Sequence, residues 1–347
     1  MKGEMKSLER VEAALKHEEP DRVPVAGMGW TIAAVVGGMR IPEYARDGKK
    51  MAKGQLAFLD KTGVDILYPT SDVGQMAEGW GTKMKYSEEV TPLLDQFAVK
   101  SPEDWERLEV IDPMKEGRMH VTIEAVDIIV RETKNKVAVI PYLPSPLTSA
   151  THVRAMEEVM VDLVTDPDLL HRGLEKITET TIEYINACTD AGAHGVLYSP
   201  TRASAEILTL EQYKEFGKKY DIKVLKALKK QGALNIHHVC GIEPFFEELV
   251  SLPNIRGINW WDRGAKPNLR EAKEKYGDKI CLVGGLDQTT TLIMGGPEDA
   301  EKEAKEAIEV AKAGGGFILS PGCEISPKMH LENMKAAVRA AEKYGKY

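Results

Sequence analysis

Asn235-Ile236-His237-His238-Val239-Cys240-Gly241 is an apolar run that ends on a histidine and a cysteine two residues apart. The run reads as a buried β-strand, and side chains at i and i+2 of a strand share a face. His238 and Cys240 therefore aim into one space, while His237 and Val239 point the other way. A run that is apolar and β-branched rather than strictly alternating is typical of a parallel strand covered on both faces.

Working outward, seven further runs of this kind punctuate the chain. With 234–239 they are 23–26, 64–68, 137–141, 195–199, 255–260, 279–284 and 316–320. Helical patterns fill the gaps at 43–61, 118–134, 166–191, 210–230, 243–250, 269–276, 297–312 and 327–344, after a first helix at 7–17. Thr209-Leu210-Glu211-Gln212 has the form of a capping box. Ser101-Pro102, Gly296-Pro297 and Ser326-Pro327 each place proline at a first helical position. Eight strand–helix repeats in 347 residues point to an α/β (β/α)8 TIM barrel, with a doubly wound open sheet as the other arrangement the pattern allows. One domain over 1–347 is expected, the region 79–99 reading as a hairpin insertion with Pro92 and Asp95 in its turn.

Bulk properties narrow the function classes. The net charge is −8 with basic and acidic residues interleaved along helical stretches, which reads as solvated helix faces and argues against a nucleic-acid partner. Four scattered cysteines are too few for a disulfide scaffold, so a reducing cytoplasm is expected. The charged start of the chain has no apolar signal core, and no apolar run approaches the roughly 20 residues of a membrane span.

In a barrel, active sites are built at the C-terminal ends of the strands. Tyr68 to Asp72, Tyr142, Tyr198, His238, Cys240, Trp260 to Asp262, Asp287 and Cys323 all fall there. His238, Cys240 and Cys323 form an imidazole and two thiolates, a set zinc accepts readily, and three protein ligands leave a fourth position for substrate. The bland alternative is a histidine bonded to a carbonyl with cysteines packed as small apolar groups. Such a zinc could hold a substrate thiol as thiolate or act as a Lewis acid; two thiolate ligands weaken the Lewis acid and favour the first.

The whole chain resembles the uroporphyrinogen decarboxylase superfamily. The resemblance rests on Asp21-Arg22-Val23-Pro24-Val25, Ser71-Asp72 followed by Glu78-Gly79-Trp80-Gly81, Asp190-Ala191-Gly192-Ala193, Gly284-Gly285-Leu286-Asp287 and Gly316-Phe317-Ile318-Leu319-Ser320-Pro321-Gly322-Cys323. Within it, His238-Val239-Cys240-Gly241 with Cys323 is similar to the zinc motif of the methylcobalamin:coenzyme M methyltransferase branch. The resemblance implies a zinc-dependent methyl transfer between a corrinoid (cobalamin) and a thiol acceptor or an O-, S- or N-methyl donor. No corrinoid-binding module is visible, so the cobalamin is expected on a partner corrinoid protein that docks over the barrel mouth.

Other residues are expected in lesser roles. Asp262 is the candidate carboxylate to complete the zinc shell, as some branch members do in the resting state. Asp72 resembles the acid that orients the tetrapyrrole in the decarboxylases, its alternative being an Asx-turn or cap after the second strand. Tyr198 and Trp260 are candidates to line the mouth against the cofactor, although large aromatics at strand ends often belong to the core. The competing activity, decarboxylation of a tetrapyrrole, is disfavoured because 26–41 offers Arg40 alone against the many carboxylates of such a substrate. Cys188 and Cys281 read as packing residues, and Gly314-Gly315-Gly316 precedes a strand rather than opening a helix, unlike a dinucleotide fingerprint.

Overall fold

The computed structural model describes residues 3–230 and 233–347. Its eight staves are parallel. Tyr142–Pro144, Leu197–Ser199, Ile236–His238, Gly257–Asn259, Cys281–Leu286 and Phe317–Pro321 pair in that order. Ile66–Leu67 pairs with Ala138–Val139, and single bridges from Val25 to Leu319 and from Ala26 to Ile66 close the circle. The first stave is thus the segment through Val25 and Ala26, the second Ile66–Leu67, and the eighth Phe317–Pro321. An open doubly wound sheet would leave two free edges; here the eighth stave returns to the first, and the fold is the (β/α)8 barrel. The third stave is split, Ala138–Val139 facing the second and Tyr142–Pro144 the fourth. Pro141, between the pieces, has no N–H to give a ladder.

Alternation along the staves sorts side chains into two layers. Ile236, Leu197, Ile66, Val283 and Ile318 fill the barrel, whereas Tyr198, Val239, Ile258, Trp260 and Leu319 pack outward against the helices. The first helix, Ser7–Leu15, closes the N-terminal end by adding Val11, Ala14 and Leu15 to the inner layer. Gly257 permits this approach: a Cβ there would sit 3.0 Å from Leu15 Cδ2. Truncating the buried Leu15 to alanine would open the plug at a cost of about 2–5 kcal/mol.

The helices differ from the sequence expectation in several places, among them short unexpected helices at Ile32–Val36, Ile41–Tyr44 and Thr291–Met294 and a start at Gly48 for the helix expected over 43–61. Pro146–Val153 and Met156–Thr165 form a helix pair where none was expected. The first of these is rich in Thr, Ser and Val, which are weak helix formers, and is stabilised instead by burial of every residue and by the Ser145 hydroxyl that caps it. The run expected over 210–230 is Leu210–Gln212, a wider π turn at Tyr213–Lys218, and Lys219–Lys226. The last helix starts at Leu331 rather than Pro327, because 326–329 forms a turn closed by Met329 N–H to Ser326 O at 3.0 Å. Among the described residues no helix is long and apolar enough to cross a membrane.

Candidate metal centre

The fifth stave turns Ile236 and His238 inward and His237 outward, toward Tyr198 at 5.8 Å between ring centroids. His238 is opposite Asn259 on the sixth stave in the ladder register, so the two polar side chains meet inside an otherwise apolar barrel. Asn259 Nδ2 donates to the carbonyls of Val283 and Pro321, each at 2.9 Å. Carbonyls only accept, so this orients the amide and leaves Oδ1 facing His238 Nδ1 at 2.7 Å. His238 must then carry its proton on Nδ1, and Nε2 presents a lone pair to the mouth. A histidine oriented in this way is pre-set as a metal ligand.

Two sulfurs meet that lone pair. Cys240 Sγ lies 3.4 Å and Cys323 Sγ 3.7 Å from His238 Nε2. All three candidate ligand atoms are within 4.8 Å of one another, and among the described residues no carboxylate shares the cluster. Metal–sulfur bonds of about 2.3 Å and a metal–nitrogen bond of about 2.1 Å at tetrahedral angles would separate S from N by about 3.6 Å. The two S–N spacings therefore match those of a tetrahedral zinc site. Cys323 reaches the cluster from the eighth stave because Gly322 lies flat on its neighbour: a Cβ there would be 2.5 Å from Trp261 Cα and 2.9 Å from Trp260 O.

The electrostatics of the cluster suit a cation. A hydrogen bond from Cys323 lowers the Cys240 pKa, against the effect of burial, and the charge of Arg202 lowers it further. The same bond and burial push Cys323 well above the usual thiol range. Burial works against protonation of His238, but the Cys323 charge and hydrogen bond outweigh it and its pKa is raised. The cluster thus favours a thiolate at Cys240 and holds the proton of Cys323, and a divalent ion bound by both sulfurs would displace the thiol protons.

The remaining candidates lie elsewhere. Asp72 is buried at the end of the second stave, where Arg118 donates to it at 2.9 and 3.0 Å. Ser71 Oγ adds a bond at 2.6 Å and Gly74 N–H another at 2.9 Å, so the carboxylate is committed to a turn and an ion pair. Asp262 is not in the cluster. Its Oδ1 accepts from Gly285 N–H at 2.8 Å, and burial raises its pKa to about 6. Tyr198 and Trp260 do not line the mouth either: both belong to the outer layer, Tyr198 donating to Asp221 at 2.7 Å and Trp260 Nε1 to Pro267 O at 2.8 Å. The reason is parity. In the paired register Tyr198 and Ile258 flank the outward His237, and Trp260 is two residues beyond Ile258 on the same face.

Sequence reasoning missed Asn259 and Arg202. Asn259 had a signal, a lone amide between Ile258 and Trp260 on the inward parity of its stave. Arg202 had none until the fourth stave was placed: its Nε donates to Thr151 Oγ1 at 3.0 Å, and among the described residues no carboxylate pairs with it. Its charge acts on Tyr142, Cys240 and His152, so it lies within electrostatic reach of the cluster. Trp30, packed on Tyr142 at 4.7 Å between ring centroids, and Tyr68 complete an inner aromatic wall, and the Trp30 Nε1 and Tyr68 hydroxyl have no protein partner.

Known proteins share this barrel over nearly its whole length. The chain belongs to the uroporphyrinogen decarboxylase family, whose profile matches residues 6–344. It is similar to a methylcobamide:CoM methyltransferase of Methanosarcina acetivorans, 25% identical over 97% of each chain. A solved methyltransferase from Methanosarcina mazei superposes with a TM-score of 0.88 at 27% identity, covering 98% of this chain and 99% of the other. A uroporphyrinogen decarboxylase of Coxiella burnetii is 23% identical over 97% of this chain and 95% of its own. Within the family the chain is an enzyme whose likeness runs to the corrinoid-dependent methyltransferases.

Proposed function

We propose that the chain transfers a methyl group between a corrinoid carried by a partner protein and a small thiol or methylated compound, at a zinc ion held by His238, Cys240 and Cys323. The observation that carries this reading is the cluster: one oriented imidazole nitrogen with two sulfurs at 3.4 and 3.7 Å from it, and no fourth protein ligand among the described residues. Bound there, zinc would supply a positive centre that lowers the pKa of a substrate thiol and holds its sulfur in place for attack on a methyl group.

The chain's own residues do the rest. Asn259 fixes the His238 tautomer. Arg202 adds a positive charge within electrostatic reach of the two thiolates, which offsets the build-up of negative charge when a third sulfur enters and gives an anionic substrate group a partner. Trp30, Tyr68 and Tyr142 give the mouth an apolar wall that keeps water from the reacting atoms. The likeness to a methylcobamide:CoM methyltransferase supports a thiol acceptor and a cobamide partner. Decarboxylation would need Asp72 free to meet a tetrapyrrole, whereas its carboxylate is fully bonded to Arg118, Ser71 and Gly74.

The test is anaerobic spectroscopy of methylcobalamin with the zinc-loaded protein and a panel of thiols, run in parallel with a panel of methoxy, methylthio and methylamine compounds and reduced cobalamin. Loss or gain of the methylcobalamin spectrum in one panel identifies the side of the reaction. Protein that holds zinc in equimolar amount yet acts on neither panel would refute the proposal.

A further inference from the structure

The segment after the second stave is an antiparallel hairpin, Lys83–Lys85 against Leu93–Gln96. Its root is well fastened: Thr82 Oγ1 donates to His152 O at 3.1 Å and Val99 N–H to Val153 O at 3.0 Å. Its tip is not. From Lys83 to Gln96 only Pro92 is buried, and Val90 and Leu93 are 42% and 58% exposed.

What holds the tip is polar and lies on the other side of the barrel seam. Thr91 Oγ1 donates to Glu324 Oε1 at 2.8 Å, and Thr31 Oγ1 reaches the same oxygen at 3.0 Å. Lys328 pairs with Glu89 at 3.0 Å, and Arg40 with Glu88. The hairpin therefore runs from the exit of the second stave, past the exit of the first with Thr31 and Arg40, to the exit of the eighth with Glu324 and Lys328. The two ion pairs are exposed and contribute little. The hydroxyl bonds to the partly buried Glu324 carboxyl group are the stronger hold. One peptide bond away is Cys323, whose sulfur faces His238.

We propose that Glu324 is a positioning residue: it ties the Cys323 loop to the hairpin tip, so that seating of this strap and placement of the Cys323 thiol are a single event. Tyr86, under the Arg46 guanidinium at 4.1 Å, and the buried Pro92 bracket the tip, but 87–91 between them has no buried apolar residue and opens at low cost, and opening removes Thr91 from the carboxyl group that steadies the cysteine loop. The seated strap encloses a small substrate with the metal; the released strap clears the mouth for a bulky corrinoid. The proposal rests on the metal-site reading above, and its test is arranged so that the two fail separately.

Three measurements on the full chain test it. Replacement Thr91→Val should raise amide hydrogen exchange across 86–92 by roughly tenfold or more, while Thr91→Ser, which keeps the hydroxyl, stays near the parent. In protein loaded with cobalt(II), Thr91→Val should shift the thiolate-to-cobalt absorption band and Thr91→Ser should not, a response that a merely local packing role would not produce. A Thr31→Cys/Thr91→Cys pair, oxidised to lock the strap, should slow methyl transfer from methylcobalamin by roughly tenfold or more and recover on phosphine reduction. Parent-like exchange in Thr91→Val, a cobalt band indifferent to it, or undiminished transfer in the oxidised lock overturns the proposal. If the parent protein transfers no methyl group at all, the functional reading falls, and exchange and the cobalt band still decide the role of Glu324.

Discussion

The two ends of the barrel solve opposite problems. At the N-terminal end Asp65, fully buried, accepts from Ser7 at 2.7 Å, Arg10 at 2.7 Å, Arg22 at 2.8 Å and the Val25 N–H at 2.8 Å. Arg10 in turn grips Asp21 through two bonds, at 2.6 and 2.7 Å. Burial opposes ionisation of Asp21, yet Arg10 holds its carboxyl down at about 2. Each of these four charges has its partner. At the C-terminal end Arg202 has no carboxylate, Trp30 and Tyr68 leave donors unbonded, and two thiols converge on one imidazole. Unsatisfied groups cost stability, so they persist where a ligand can complete them. The bottom is built to hold the fold, and the mouth is built to bind.

That contrast can be broken at either end. The largest effect is expected from Cys240→Ala: zinc content and methyl transfer should fall to background, while urea unfolding shifts by about 1 kcal/mol or less. Loss of the whole fold on this change would make the cluster a structural site. Next comes Asp65→Ala, which leaves the buried end of Arg22 without its carboxylate and Arg10 with Asp21 alone, and should cost about 3–5 kcal/mol in the same unfolding assay. Zinc bound per folded molecule should be unchanged; a parallel loss of metal would show that the ends are coupled.

Asn259→Ala releases the His238 ring and should weaken zinc binding about 10- to 100-fold, measured by competition with a chelator. An unchanged affinity would mean that the barrel alone orients the imidazole. The smallest effect concerns neither end. Asp221 is buried in the outer layer under the hydroxyls of Tyr198 and Tyr213, and burial raises its pKa to about 7. A carboxyl whose native pKa exceeds its unfolded value of 3.8 keeps its proton in the fold after the unfolded chain has lost it. Stability should therefore decline as pH rises from about 4 to about 7. Asp221→Asn should make that decline shallower, and an identical slope would assign it to other acids.

Much of the site was legible because strands have a strict period of two. His238 and Cys240 share a face at any register, and a cysteine after another strand of a closed barrel must end at the same mouth. The same rule, left unapplied, accounts for Tyr198 and Trp260: each stands at a strand end, but on the outward parity set by His237 and Ile258. Asp72 was legible only as two alternatives, since nothing near it in sequence announces Arg118. The helix pair from Pro146 to Thr165 escaped because its residues have poor intrinsic helix propensity and depend on burial. The late start of the last helix was missed because a Ser-Pro pair signals a turn as readily as a helix.

By itself, then, the sequence determined the barrel, its direction and the three residues that gather at its mouth, because hydrophobic period and strand parity are local properties of the chain. Only the tertiary structure decided which nitrogen of His238 faces the sulfurs, that Asp262 turns to Gly285 instead of the cluster, and that Arg202 stands unpaired within electrostatic reach of Cys240. Those facts depend on which stave neighbours which and on hydrogen bonds between residues far apart along the chain, and no local pattern encodes them.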